Sequence, residues 1–456
     1  MPSGNLTKPI HALSAQFVRS EAFFLSPLHS KNILRRKRMI KESLKKGINL
    51  YMIKDGKFKS FRACIMINRS LRKEEVTLNT LLAAVLRMQC EKYNSFEEIS
   101  TELENLYGAD MIARASKYGE NQIIKIGIQA PCDSAIGENG NFNKAVNLLE
   151  NLAFRSGNGK SFSKEILDTE KKNIEDAILS QKNDKRTYST LRLQEEMCKN
   201  EPYGINPMGY IDKLAEIDCE TLWQHYKFVL QSSKIDIIFT GNFDENEARE
   251  CARRFCENLS ERDVTFDETE NIKTVEEVKT VTDRMDVTQG KLCMGFRTSE
   301  SIKIEKYAQA ILYNTIFGGS ATSKLFNNVR EKLSLCYYVS SNLDRLKEIM
   351  IVRSGVEFEN FKKAYDEILS QHKDMCEGNF TAEDIDAAKK YLIGAYNSNY
   401  DSLGATEEYY TMQLLLGTDI SIKEMTDSIE KVTKDEIVAV ANSMQLDTVY
   451  YLDREE

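Results

Sequence analysis

Four histidines and ten cysteines are the side chains of this 456-residue chain best suited to metal or nucleophilic chemistry, and their spacing argues against both. His11, His29, His225 and His372 lie too far apart in sequence for any two to share one face of a helix, whereas a helix that binds zinc presents imidazoles about one turn apart. The cysteines, at 64, 90, 132, 198, 219, 251, 256, 293, 336 and 376, form no CxxC pair and no framework spacing, so free thiols in a reducing compartment are expected. Cys251 and Cys256 fall in a helical stretch, where a free thiol packs as a small apolar group, and Cys336 beside Tyr337 reads as another buried thiol. No serine or cysteine stands with a recognisable base. A self-sufficient enzyme with its own nucleophile is therefore not expected.

Charge and composition narrow the partners. Lys and Arg total 62 against 70 Asp and Glu, a net charge of -8, so a phosphate backbone meets no general attraction and no nucleic-acid partner is expected. With 41% hydrophobic residues the chain buries a large core. Its longest apolar run, Leu81 to Leu86, is far short of the roughly 20 residues of a membrane-spanning helix. The N-terminus carries no signal-peptide pattern, which points to a cytoplasmic protein with no membrane contact.

The elements that would position any site are organised by an internal duplication. Phe162-Ser-Lys-Glu-Ile-Leu-Asp-Thr-Glu-Lys-Lys recurs about 218 residues later as Phe380-Thr-Ala-Glu-Asp-Ile-Asp-Ala-Ala-Lys-Lys. Each copy follows an amphipathic helix, begun by Phe142 or Phe361, and precedes a helix and a terminal strand: 216–230 and 235–240 in the first half, 431–444 and 449–452 in the second. Ser163 and Thr381 suit helix N-caps. The runs 48–53 and 61–67, separated by Lys54-Asp55-Gly56-Lys57, predict a hairpin. The expected organisation is an extension over 1–38, which lacks periodicity and is expected to be disordered, a first module over 39–259, a charged linker over 260–283 and a second module over 284–456.

Two such modules resemble the insulinase/pitrilysin family of zinc peptidases, and the segment Phe317-Gly-Gly-Ser-Ala-Thr-Ser-Lys-Leu-Phe-Asn-Asn-Val-Arg-Glu-Lys-Leu-Ser-Leu-Cys-Tyr-Tyr-Val-Ser-Ser makes the resemblance specific. It is similar to the family's glycine-containing loop, Arg-Glu-Lys helix and following Tyr-x-Val. The likeness extends over roughly 40–454 and includes Phe239-Thr-Gly-Asn-Phe-Asp. It implies an α+β fold: two homologous modules, each a mainly antiparallel sheet with helices on one face, related by pseudo-twofold symmetry as a clam-shell. Members carry His-x-x-Glu-His on a helix of the first half, two zinc ligands and a general base. Here Leu78 to Tyr93 resembles that helix, with Thr80, Ala83 and Ala84 at the His, Glu and His positions. The distal glutamate ligand falls near Asp176 or Ala177. No metal, no cofactor and no catalytic residue are therefore expected.

Arg330 and Tyr337 match the family's Arg and Tyr, which the resemblance makes substrate-binding, together with Gly318 and Gly319 as a place of close backbone approach. The structural alternative is an Arg paired on its own helix, a core Tyr and a simple turn. The resemblance implies a non-catalytic, peptide-binding or regulatory subunit, with an active zinc-binding homologue as heterodimer partner and a peptide or protein substrate. A scaffold of the same fold is the alternative. The runs Leu103 to Ala109 and Ser116 to Gln122 resemble the zinc-lacking member of a paired bacterial set associated with aminopentanol modification of elongation factor P.

Overall fold

Alternating aliphatic residues build two sheets, but several strands are apolar on both sides, and that decides the architecture. The structure, a computed structural model, describes residues 39–264 and 268–455. The expected extension over 1–38 lies outside them. The first sheet comprises β1 (Ile40–Lys45), β2 (Ile48–Lys54), β3 (Ser60–Ser70), β4 (Asp110–Tyr118), β5 (Asn121–Pro131) and β6 (Lys234–Gly241), in the order β1-β2-β6-β3-β5-β4. The second comprises β7 (Lys279–Met285), β8 (Gly290–Thr298), β9 (Cys336–Asp344), β10 (Ile349–Val356) and β11 (Met444–Arg454), in the order β7-β11-β8-β10-β9. The orders match except for β1. Both sheets are antiparallel but for the pairs β2 with β6 and β7 with β11.

The predicted hairpin between 48–53 and 61–67 does not form. β2 turns back onto β1 through Lys46 and Gly47, and β6 inserts between β2 and β3. Ile235 to Phe239 is buried on both sides and needs a central position, which a two-stranded ribbon cannot supply. The second sheet begins at Lys279, within the segment expected as linker, because β7 pairs with β11.

Helices cover one face of each sheet. In the first module α1 (Val76–Leu86), the helix Asn141–Phe154 and α2 (Lys164–Asn183) bury Leu81, Phe142, Val146 and Leu167 against Ile65, Ile124 and Phe239. In the second the helix Phe361–Cys376 and α5 (Ala382–Asn399) do the same. Phe162 and Phe380 are both buried one residue before the N-caps of α2 and α5, as the duplication requires. Two further helices cross over. α3 (Lys185–Met197) lays Leu193 and Met197 on the outer face of the second sheet, against Cys293, Ile351, Tyr450 and Leu452. α6 (Leu403–Leu415) returns to the first sheet and places Tyr410 against Ile53, Met66, Ile123 and Ile238. The remaining helix labelled here, α4 (Cys219–Ser232), lies in the first module.

Buried charges fasten each crossing. Glu407 of α6, fully buried, lies 2.6 Å from the Lys125 ammonium and 3.2 Å from Arg62 Nε, and accepts the Cys64 thiol at 3.0 Å. Burial works against the Glu407 carboxylate, but Lys125 and Arg62 outweigh it and hold its carboxyl below its ordinary value. At the other crossing Lys347, with no exposed side-chain surface, meets Glu201 at 2.6 Å and pairs with Glu120, both from the first module. Removing one partner of such a pair strands the other in low dielectric. Glu407→Gln is expected to cost about 3 kcal/mol in urea unfolding, whereas Lys362→Ala, which breaks an exposed pair with Asp366, is expected to cost under about 0.5 kcal/mol.

Candidate functional site

α1 carries the positions where the resemblance places a metal. Ala83 is buried and Ala84 half-buried, and neither methyl group can ligate. Thr80 Oγ1 lies 2.9 Å from the Val76 carbonyl and 3.1 Å from that of Pro207. Gln122 Nε2 donates to the same Pro207 oxygen at 3.0 Å, and Asn79 Nδ2 donates to Gln122 Oε1 at 2.9 Å. The chain from Pro207 onward is pressed onto the helix. Tyr210 N–H donates to Thr77 Oγ1 at 3.1 Å, and Gly209, at φ 84°, sits so close that a Cβ there would fall 2.7 Å from Thr77 Cα. Thus the face of α1 that would meet a metal is satisfied by a hydrogen-bonded plug.

α2 supplies the other wall. Glu170 and Ile174 are buried and Ala177 half-buried on one stripe, while Asp176 is exposed. Of the two positions considered for a distal ligand, the one on the inward face is therefore Ala177, a third methyl group. Glu170 itself lies 3.8 Å from Arg87. Among the described residues no group of three or more His, Cys, Asp or Glu side chains is arranged to hold a metal ion. The residues at this place do not fit zinc, and no step of chemistry is routed through it.

His225, isolated in sequence, is brought to this cluster by α4: its Nε2 lies 2.8 Å from Asn79 Oδ1. Burial, with a smaller contribution from Arg69, lowers its pKa from 6.5 to about 4, so the ring is neutral at pH 7. Sequence spacing could not connect it to Asn79, since the contact depends on how α4 packs across α1.

The second module holds the other candidates. Gly318 and Gly319 end a helical turn, Thr315–Gly319, and they serve packing: a Cβ on Gly318 would fall 2.9 Å from Ser341 N and one on Gly319 3.0 Å from Asn314 O. Arg330 lies near the end of a helical segment with wide π-type turns, Leu325–Lys332, half-exposed, 4.7 Å above the Phe326 ring and 3.6 Å from Glu331. The chain then turns at Ser334, with φ 50°, into β9. β9 and β10 change register between Cys336 and Tyr338, which leaves Tyr337 as the extra residue of a bulge. The residue is 62% exposed, and its hydroxyl donates to Glu357 at 2.5 Å, which raises the phenol pKa. Glu357 carried no sequence signal, because only the β9–β10 pairing brings it near.

Comparison with known proteins agrees with this geometry. The family model for the peptidase M16 inactive domain matches residues 216–392. The probable inactive metalloprotease YmfF of Bacillus subtilis is 31% identical over 408 residues, covering 89% of this chain and 96% of that one. Among solved structures, a conserved protein from Enterococcus faecalis superposes with a TM-score of 0.85 at 27% identity over 92% of this chain and 99% of its own. A peptidase M16 inactive domain from Pseudomonas fluorescens shares the fold with a TM-score of 0.73 at 16% identity over 92% and 98%.

Two outcomes follow from the cluster on α1. A histidine whose pKa falls on folding binds its proton more readily in the unfolded chain, so its contribution is complete above pH 6.5 and is lost as pH falls toward 4. Urea unfolding across that window is expected to show a loss of about 3 kcal/mol from this residue. His225→Gln, which keeps an amide beside Asn79, removes that part of the slope. Elemental analysis of the purified chain is expected to find no stoichiometric zinc, and one tightly held zinc per chain would overturn the reading of α1.

Proposed function

The chain belongs to the M16, insulinase-type, peptidase family as one of its inactive homologues, and from that premise we propose that it is the peptide-binding, non-catalytic half of a cytoplasmic heterodimer whose active half holds the zinc. Arg330 and Tyr337 supply the contacts to substrate. The observation that carries this reading is the bulge at Tyr337. A phenol that packs in a core needs no bulge, whereas a bulge re-aims one side chain out of a strand, as it does here one turn of chain after a half-exposed guanidinium. A guanidinium and a phenol at such a place donate to a peptide carbonyl, and to that oxygen as it gains negative charge on a partner's metal. Glu357 holds the phenol oriented until a peptide arrives. The substrate belongs to the elongation factor P modification system if the resemblance extends to pathway.

A scaffold role is the second reading, and one observation favours it: both side chains already have partners within the chain, Glu331 and Glu357. Turnover separates the two. In a preparation of this chain with its zinc-binding homologue, Arg330→Ala or Tyr337→Phe is expected to lower peptidase turnover by on the order of 10² to 10³ with an unchanged melting temperature. Normal turnover in both variants leaves the scaffold.

A further inference from the structure

The duplication allows the two sheets to be compared position by position on the faces covered by the exchanged helices. Lys125 is the fifth residue of β5 and Arg353 the fifth of β10, each followed two positions on by a glycine, Gly127 or Gly355. Glu407 is the fifth residue of α6 and Ser189 the fifth of α3. In the first module the buried cation meets a buried carboxylate at 2.6 Å, with Glu408 a further 3.6 Å contact. In the second module the cation remains and the acids are gone. Ser189 donates back to the Lys185 carbonyl at 2.7 Å, and Thr190, which stands where Glu408 does, donates to the Arg186 carbonyl at 3.0 Å.

Nothing else replaces them. Arg353 Nε is buried without a hydrogen-bond partner, and no carboxylate lies within ion-pair distance of Arg353 among the described residues. Burial lowers its pKa, as it does that of Lys291 on the neighbouring strand. A third cation, Arg186, is exposed and stacks 4.3 Å above the Tyr338 ring, which itself lies on Gly355. The acids nearby are committed: Asp184 caps α3 through Arg186 N–H and the Thr187 hydroxyl, and Asp344 accepts Tyr203 and Lys347 N–H. Lys291 donates to the neutral Gln289 amide oxygen at 2.5 Å, and the charge of Asp184, which forms no ion pair with it, offsets part of the effect of burial. Two half-buried cations and an exposed third, none of them ion-paired to a carboxylate among the described residues, call for an anion from outside.

We propose that Arg353, Arg186 and Lys291 form a binding site for a carboxylate, which takes the place that Glu407 holds in the first module. The inference stands on the internal comparison and is independent of the heterodimer. The carboxylate comes either from a peptide's acidic side chain or from a free dicarboxylate, and calorimetry on the full chain at low ionic strength distinguishes them with three probes: glutarate, a capped hexapeptide carrying two glutamates, and its glutamine twin. Binding of glutarate alone assigns a free ligand, and binding of the acidic peptide but not its twin assigns a peptide.

Arg353→Met is expected to weaken binding at least about tenfold and, by removing an unpaired buried charge, to raise the melting temperature of the ligand-free chain. Ser189→Glu, which restores the missing acid, is expected to abolish binding. Equal binding to wild type and Arg353→Met, binding of neither acidic probe at millimolar concentration, or a lower melting temperature for ligand-free Arg353→Met would each overturn the proposal.

Discussion

Each sheet of this protein is apolar on both faces, and its own module has helices for only one. This constraint governs the rest of the structure. The uncovered face must be closed by something the local chain cannot supply, and the solution is reciprocal: α3 closes the second sheet and α6 the first. Apolar burial drives both crossings but does not by itself fix where along the sheet a helix settles, because it is non-directional. The buried charges add that specificity. Glu407 can be satisfied only where Lys125, Arg62 and Cys64 converge, and Lys347 only between Glu120 and Glu201. The desolvation of these ions limits their net worth to stability, while a misplaced crossing leaves them buried and unpaired.

The same logic explains the plugged α1. A helix face that carries Thr80, Ala83 and Ala84 offers its neighbouring polar atoms no charged partner in a region the core has already dried. Thr80, Asn79, Gln122 and His225 answer by binding one another and the Pro207 carbonyl. The cluster therefore maintains the packing of α1 against the first sheet and the chain from Pro207. The exposed features described above lie in the second module, where a bulge turns Tyr337 outward and Arg353 has no paired acid among the described residues.

Much of this was legible in the sequence, for identifiable reasons. Phe162 and Phe380 repeat because both copies bury the same ring before the same helix, although of the two expected caps only Thr381 accepts a backbone N–H with its side chain, and the missing histidines could be read directly. The hairpin between 48–53 and 61–67 was misread because short turns predict local pairing, and only the burial of β6 on both faces reveals that a distant strand belongs between them. The crossing helices were invisible. α3 and α6 look like any amphipathic helices, and no periodicity states which sheet a helix will cover. His225 with Asn79, and Tyr337 with Glu357, are joined by packing and strand register, which a linear spacing does not encode.

The exchange of helices also bears on how the chain is made. When β6 leaves the ribosome the first sheet is complete, yet Ile53, Met66, Ile123 and Ile238 wait for a cover in α6, which is synthesised only near the end of the chain. At roughly 5–20 residues per second, the nascent first module presents an apolar face for many seconds. Translation order thus separates the closure of the two halves in time: α3 is already waiting when the second sheet emerges, so the later half is covered as it forms and the earlier half is finished last.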